Sequence, residues 1–321
     1  MKIFVTGCAG FIGYHLCDKL LKDNHFVYAI DNINNYYDVS LKKQRLKNLK
    51  KNKKFIFYKY DLSNFKKINN IVSENKIKKI IHLAAQAGVR YSFTDPKTYF
   101  NSNLLGFFNI LEISRKNYIK HLIFASTSSV YGDNNKFPLK EITSTENPLS
   151  FYAATKKSNE IMAYSYSNMF NLPCTALRFF TVYGPYGRPD MALFKFTKAI
   201  INNNPIELFN NGNHERDFTY INDAVSAVIK LINKPPTNKI PFNCFNIGSS
   251  HKRKLKYFLK VIEQILKKKT NVKLLPLQKG DVKITQADIS KLKKFINYKP
   301  KVNFKFGIKK FIDWYKKYNK L

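Results

Sequence analysis

Short apolar runs alternate with segments of helical period through the first two thirds of the chain. Lys2-Ile3-Phe4-Val5 is suited to a buried parallel strand, and apolar residues then recur at helical intervals from Phe11 to Leu21. Further strands are predicted at 26–30, 55–58, 79–86, 121–125 and 174–179, with helices over 99–116 and 152–170. Such alternation predicts an α/β fold, a doubly wound parallel sheet of Rossmann type. Past Val182 the pattern changes. Gly184-Pro-Tyr-Gly-Arg-Pro189 is turn-rich, and Asn202–Pro205, Gly212-Asn213 and Pro235-Pro236 punctuate the remaining third of the chain. Helices are predicted over 225–232, 257–266 and 306–318, the last with apolar residues at Ile308, Phe311, Ile312 and Tyr315. Two domains are expected: residues 1–182, and a smaller C-terminal lobe over 183–321, some of whose segments return to the first.

The first strand runs into Thr6-Gly7-x-x-Gly10-Phe11-Ile12-Gly13. Glycines at that spacing let the backbone turn tightly and approach a pyrophosphate, which the positive end of the following helix favours. The next strand ends in Asp31, 18 residues after Gly13, followed by Asn32. A carboxylate there accepts hydrogen bonds from ribose hydroxyls and repels a 2′-phosphate, so the expected cofactor is NAD. Residues 1–182 are therefore expected to be the NAD-binding domain. Asp61-Leu62 is expected on the adenine side. The strand ending at Leu83-Ala84-Ala85 offers small residues where a cofactor can lie close to the backbone.

Ser150-Phe-Tyr-Ala-Ala-Thr-Lys156 carries Tyr152 and Lys156 four residues apart, on one face of a helix. A lysine beside a tyrosine favours the phenolate, whose ordinary pKa is about 10, and so makes a general base for an alcohol at neutral pH. In a chain this rich in Lys and Tyr the pair alone is weak. Its order after a glycine fingerprint gives it weight.

Composition removes several function classes. No run of 18 apolar residues exists, so no membrane span is expected. The four cysteines (Cys8, Cys17, Cys174, Cys244) and six histidines are scattered, which fits reduced thiols in a cytoplasmic protein and no metal site. The net charge of +35 invites a nucleic-acid reading. However, only seven of the 56 basic residues are arginine, the usual residue for bidentate phosphate recognition, and the lysines are spread along the whole chain. No specific nucleic-acid partner is expected; attraction of anionic sugar nucleotides is the more useful consequence.

Taken together, the fingerprint, the Thr127 region with Val130-Tyr131-Gly132 and Tyr152-x-x-x-Lys156 resemble the extended short-chain dehydrogenase/reductase family. Residues 31–40, Ala85-Gln-Ala-Gly-Val-Arg-Tyr91, Arg178–Pro185, Gly187–Ala192, Arg216-Asp-Phe-Thr-Tyr220 and Gln278-Lys-Gly-Asp-Val282 are similar to its uronate-specific nucleotide-sugar epimerases, the UDP-glucuronate 4-epimerases. The resemblance implies NAD-dependent 4-epimerisation of UDP-glucuronate to UDP-galacturonate through a 4-keto intermediate. Tyr152 would take the 4-hydroxyl proton, Lys156 hold the nicotinamide ribose, and Thr127 hydrogen-bond the 4-oxygen. It also implies Arg216 on the pyrophosphate, Asp281 on the nucleoside side and Arg90 on the substrate.

Related 4,6-dehydratases place an acidic pair where Ser128 and Ser129 stand here, and UDP-xylose-forming decarboxylases carry glutamate at the Ser129 position. Elimination therefore lacks its proton carriers. Ser128, Ser129, Thr181 and Arg188 are expected to pair with a sugar carboxylate, although Arg188 can instead pin its own loop. A neutral UDP-sugar 4-epimerase such as one acting on UDP-glucose is the alternative, and a non-catalytic dinucleotide sensor the second. Helices near 100–117 and 152–170 suit a homodimer contact, and supply of UDP-galacturonate for a surface polysaccharide is the pathway implied.

Overall fold

A computed structural model describes residues 1–321. In chain order the elements begin β1 (Lys2–Thr6), α1 (Phe11–Lys22), β2 (Phe26–Ile30), α2 (Val39–Leu49), β3 (Phe55–Tyr58), α3 (Phe65–Glu74) and β4 (Lys79–His82). Short helices α4 (Tyr91–Thr94) and α5 (Pro96–Tyr99) lead through a π-helical turn, Phe100–Leu105, into α6 (Gly106–Lys116). Next come β5 (His121–Thr127), α7 (Phe151–Phe170), β6 (Cys174–Phe179), β7 (Thr181–Tyr183), α8 (Ala192–Ile201), β8 (Ile206–Leu208), β9 (Glu215–Tyr220) and α9 (Ile221–Leu231). The chain closes with β10 (Phe242–Ile247), β11 (Lys252–Lys254), α10 (Leu255–Leu266), β12 (Val272–Leu274), α11 (Ser290–Ile296) and α12 (Phe304–Asn319).

Seven strands form one sheet in the order β3-β2-β1-β4-β5-β6-β10, with parallel pairing from β3 through to β5. The order reverses between β1 and β4. In open α/β sheets that switch point is where ligands bind, beyond the carboxyl ends of the strands. Phe4, Ile80, Leu122 and Phe124 from the strands bury against Ile68, Phe107 and Ile110 of the helices. The continuous apolar strand runs are explained by this arrangement, because covered strands have no polar face to show.

The chain divides into two compact units. The first comprises residues 1–132, 144–178 and 225–245; the second comprises 133–143, 179–224 and 246–321. Residues 133–143 join the second through Leu139, whose N–H donates to Gln286 O at 2.8 Å and whose carbonyl accepts from Asn246 Nδ2 at 2.8 Å. In that unit β9 pairs in parallel with β7 and antiparallel with β11. Its core is aromatic: Phe218 stacks on Phe258 at 4.5 Å, and Tyr183 meets Tyr220 and Phe304 edge-on.

Two predicted elements need correction. The strand expected over 79–86 ends at His82, and residues 83–86 leave it as irregular chain. The helix expected over 99–116 is present and continuous with α5, but it widens into a π-turn over Phe100–Leu105. Within the turn, after Asn101 and Ser102, Asn103 is polar and buried. Asn103 Nδ2 donates to Gln86 O (3.0 Å) and Thr155 Oγ1 (3.0 Å), while its Oδ1 accepts Gln86 N–H (2.8 Å).

Candidate active site

Beyond β1 the backbone must pass very close to β4. Thr6 Oγ1 accepts the N–H groups of Leu83 (3.2 Å) and Ala84 (3.1 Å) and bonds His82 Nδ1 at 2.8 Å. Gly7 has φ of +75°, and a Cβ there would lie 2.7 Å from Ala84 N. At Gly13 a Cβ would stand 2.0 Å from Gly7 O. Helix α1 starts after Gly10 with no side chain capping its first N–H groups, which leaves them for an anionic ligand. Phe11 is buried and Ile12 partly so. A bare loop, an uncapped helix start and a nearby carboxylate fit a dinucleotide.

That carboxylate is Asp31. One oxygen accepts Ala9 N–H at 3.0 Å and the other Ile33 N–H at 2.8 Å. Burial pushes its carboxyl above the usual range, against the pull of those bonds and of the Lys42 and Arg45 charges. Fully buried Arg45 braces the loop from behind, donating to Ala9 O and Tyr37 Oη at 2.7 Å each. Neighbouring Asn32 donates to Asp61 Oδ2 at 2.8 Å. Burial would raise Asp61, but bonds from Ser63 and Asn32 outweigh it and hold the carboxyl low. Leu62 is buried in the core beside Gly106, while Leu83, Ala84 and Ala85 are partly buried at the end of β4.

Ser150 caps α7 by accepting Ala153 N–H at 3.1 Å, which places Tyr152 in the first helical turn. Tyr152 is partly buried, and its ring lies edge-on to Tyr99 at 6.0 Å. Tyr99 is itself fully buried and donates its hydroxyl to the carbonyls of Ala87 and Gly88. Lys156, one turn on, is 2% exposed and donates to Ala125 O at 2.9 Å. Burial brings its ammonium down to about 8. Burial, aided by the Lys156 charge, also holds His82 at about 3, so that ring is neutral. At the end of β5, buried Thr127 donates to Ser129 Oγ and accepts Ser129 N–H, both at 3.2 Å. Ser128 and Ser129 sit partly buried in the 3-10 turn Ser128–Tyr131, and Arg90 is exposed just before α4.

The second unit holds the remaining candidates. Thr181 opens β7 and is partly buried. Arg188 grips Asp190 with two bonds, 3.0 and 2.5 Å. Arg216 Nη1 donates to Glu215 O (3.0 Å) and Lys283 O (2.9 Å), which ties it to the segment bearing partly buried Asp281. Its neighbour Asp217 is fully buried and accepts from Ser249 N–H and Oγ–H (2.7 Å each), Ser250 N–H (2.9 Å) and Ala287 N–H (3.1 Å).

The structure thus gathers Gly7, Gly13, Asp31, Leu83 and Ala84 around one loop. It joins Asn32 to Asp61 and Thr127 to Ser129, and it seats Lys156 on β5. Tyr99 and Asn103 were not among the sequence candidates. Asn103 left no distinctive trace there, since it closes the polar run Asn101-Ser102-Asn103.

No helix is long and apolar enough to cross a membrane. Protein CapI of Staphylococcus aureus is 48% identical over the whole of both chains. A UDP-glucuronate 4-epimerase of Thermodesulfobacterium geofontis is 41% identical over 97% of this chain and 95% of its own. Among solved structures, the UDP-glucuronic acid 4-epimerase of Bacillus cereus, in complex with UDP-glucuronic acid and NAD, superposes with a TM-score of 0.93. It is 34% identical, over 99% of this chain and 100% of that one. The model described as GDP-mannose 4,6 dehydratase matches residues 4–311, and the chain belongs to that family.

Proposed function

We infer that this chain is an NAD-dependent 4-epimerase interconverting UDP-glucuronate and UDP-galacturonate through a 4-keto intermediate. One observation carries the reading: Tyr152 and buried Lys156 share a helix docked on the strand end that bears Thr127, in a chain that superposes on the Bacillus cereus epimerase. Tyr152 takes the proton from the sugar 4-hydroxyl and later returns it. Its place in the first turn of α7 favours negative charge on the phenolic oxygen, as does the Lys156 ammonium. Thr127 turns its hydroxyl from Ser129 to the sugar 4-oxygen. NAD, when bound, supplies the acceptor and donor of the C4 hydride. The loop of Gly7, Gly10 and Gly13 with Phe11 and Ile12 holds the pyrophosphate, Asp31 and Asn32 the adenosine ribose, and Asp61-Leu62 the adenine. Leu83, Ala84 and Ala85 lie along the cofactor, and Lys156 takes the nicotinamide ribose.

For the substrate, Arg216 and Asp281 hold the UDP portion and Arg90 contributes from the loop after β4. Ser128 and Ser129 are candidate donors to the sugar carboxylate, as are Thr181 and Arg188. With hydroxyls at 128 and 129 there is no acid to expel water, so the cycle is oxidation and re-reduction alone. The protein acts in the cytoplasm as a homodimer, using the apolar side chains left exposed along 100–108 and 151–170, Phe100, Phe108 and Ile161 among them.

Separate incubations with UDP-glucuronate and UDP-glucose, no NAD added and product followed by proton NMR, test this. Interconversion of the two uronates with little action on UDP-glucose is expected. Equal rates on both sugars would remove the carboxylate pocket, and carbon dioxide as the main product would make the enzyme a decarboxylase.

A further inference from the structure

One buried ion pair has no part in the chemistry above. Glu160 and Arg178 are each 5% exposed. Arg178 donates from Nε to Oε1 at 2.9 Å and from Nη2 to Oε2 at 2.7 Å. Ser126 Oγ donates to the same Oε1 at 2.5 Å, and the guanidinium stands 4.8 Å over the Tyr131 ring. Lys157 Nζ lies 3.9 Å from Oε2. Burying two ions is expensive, and apolar residues of similar size at such places are often neutral or stabilising. Stability therefore does not account for the pair.

Its location does. Tyr152, Lys156 and Glu160 are set at four-residue steps on one face of α7. Three consecutive residues of β5 then have distinct tasks: Ala125 accepts Lys156, Ser126 donates to Glu160, and Thr127 is the candidate for the sugar oxygen. Arg178 completes the clamp from β6, and Tyr131 beneath it ends the turn carrying Ser128 and Ser129. Apolar packing resists separation of helix and strand but tolerates sliding. A bidentate pair has one register.

We propose that Glu160 and Arg178 are positioning residues that fix the register of α7 on the end of β5, and so set Tyr152 and Lys156 against Thr127. This rests on the epimerase reading of those three residues. Two variants test it: Arg178→Lys, which keeps the charge but not the fork, and Glu160→Met/Arg178→Leu, which replaces the pair with apolar bulk.

In the double variant kcat should fall about 10- to 100-fold, the scale of an ångström's misplacement, with KM within about 3-fold and bound nucleotide retained. Arg178→Lys should lie between it and the parent. A double variant that turns over at the parental kcat overturns the proposal. So does a parallel loss of kcat, KM and bound nucleotide, or failure of both variants to fold, since the pair would then hold the structure at large. Tyr152→Phe, run alongside, separates the two ideas: if that variant stays active the epimerase reading fails, and if it is inactive while the double variant is normal, only the clamp fails.

Discussion

The two units hold their candidate side chains at different depths. In the first, Lys156 and residues that frame the candidates are tied across the fold, Lys156 to Ala125, Thr155 to Asn103, Thr6 to Leu83 and Ala84, while Thr127 bonds Ser129 two residues on. Each of these ties is partly or wholly buried. In the second, the cationic candidates hold partners nearer to water: Arg188 bonds Asp190, both about one quarter exposed, and Arg216 bonds the carbonyls of Glu215 and, at an exposed contact, Lys283. A proton and a hydride must move over distances where a small displacement costs orders of magnitude, so their carriers are locked. A residue that binds and releases substrate has to exchange partners, and a partner held near water is readily given up and regained.

The largest expected effect comes from breaking the locked side. Tyr152→Phe removes one oxygen from a partly buried ring and leaves its edge contact with Tyr99 in place. Turnover should drop about 100- to 10,000-fold, as when a positioned acid/base is lost, with the fold and bound nucleotide intact. Near-normal turnover in that variant would mean that another group is the base.

This contrast was only half legible in the sequence. Apolar runs announced β1 to β6, since strands covered on both faces have little else to show. Tyr152 and Lys156 could be seen because a helix turns four residues into one face. Glu160 lies on that same face, yet its partner Arg178 is 18 residues on and meets it only once β6 joins the sheet. The π-turn was hidden for a related reason. Nothing in Phe100–Leu105 announces a wider helix, and the bonds that Asn103 makes there, to Gln86 and Thr155, form only in the folded chain. In the second unit the Arg188–Asp190 pair spans two residues, and a pin that short is readable from the sequence itself.

A smaller effect should separate the units by pH. Burial holds His82 at about 3 and His121 at about 4, both in the first unit, against 6.5 for a free ring. The unfolded chain therefore binds protons that the folded one refuses, so stability falls as pH drops from about 6.5 toward those values. At about 1.4 kcal/mol per unit, each ring removes about 2 kcal/mol by pH 5. Burial raises Asp217 in the second unit and Asp31 in the first, shifts of the opposite sign whose cost falling pH relieves in both units, so the rings alone make the difference. Hydrogen exchange, corrected for intrinsic rates, should show β4 and β5 losing protection between pH 6.5 and 5 before β9 does. Equal loss in both units would mean that the buried rings do not control acid sensitivity.

The smallest effect addresses the exchangeable side. Arg188 and Asp190 are about one quarter exposed, and a pair of that kind contributes on the order of 1 kcal/mol or less. If Arg188 leaves Asp190 to meet the substrate carboxylate, that energy is charged against binding. Asp190→Asn weakens the local bond and should lower KM for UDP-glucuronate by about 2- to 5-fold, the equivalent of a fraction of 1.4 kcal/mol. The KM for UDP-glucose should not move, because it has no carboxylate to claim the freed guanidinium. A lower melting temperature with both KM values unchanged would instead assign Arg188 to holding its own loop, and carboxylate recognition would then rest on Ser128, Ser129 and Thr181.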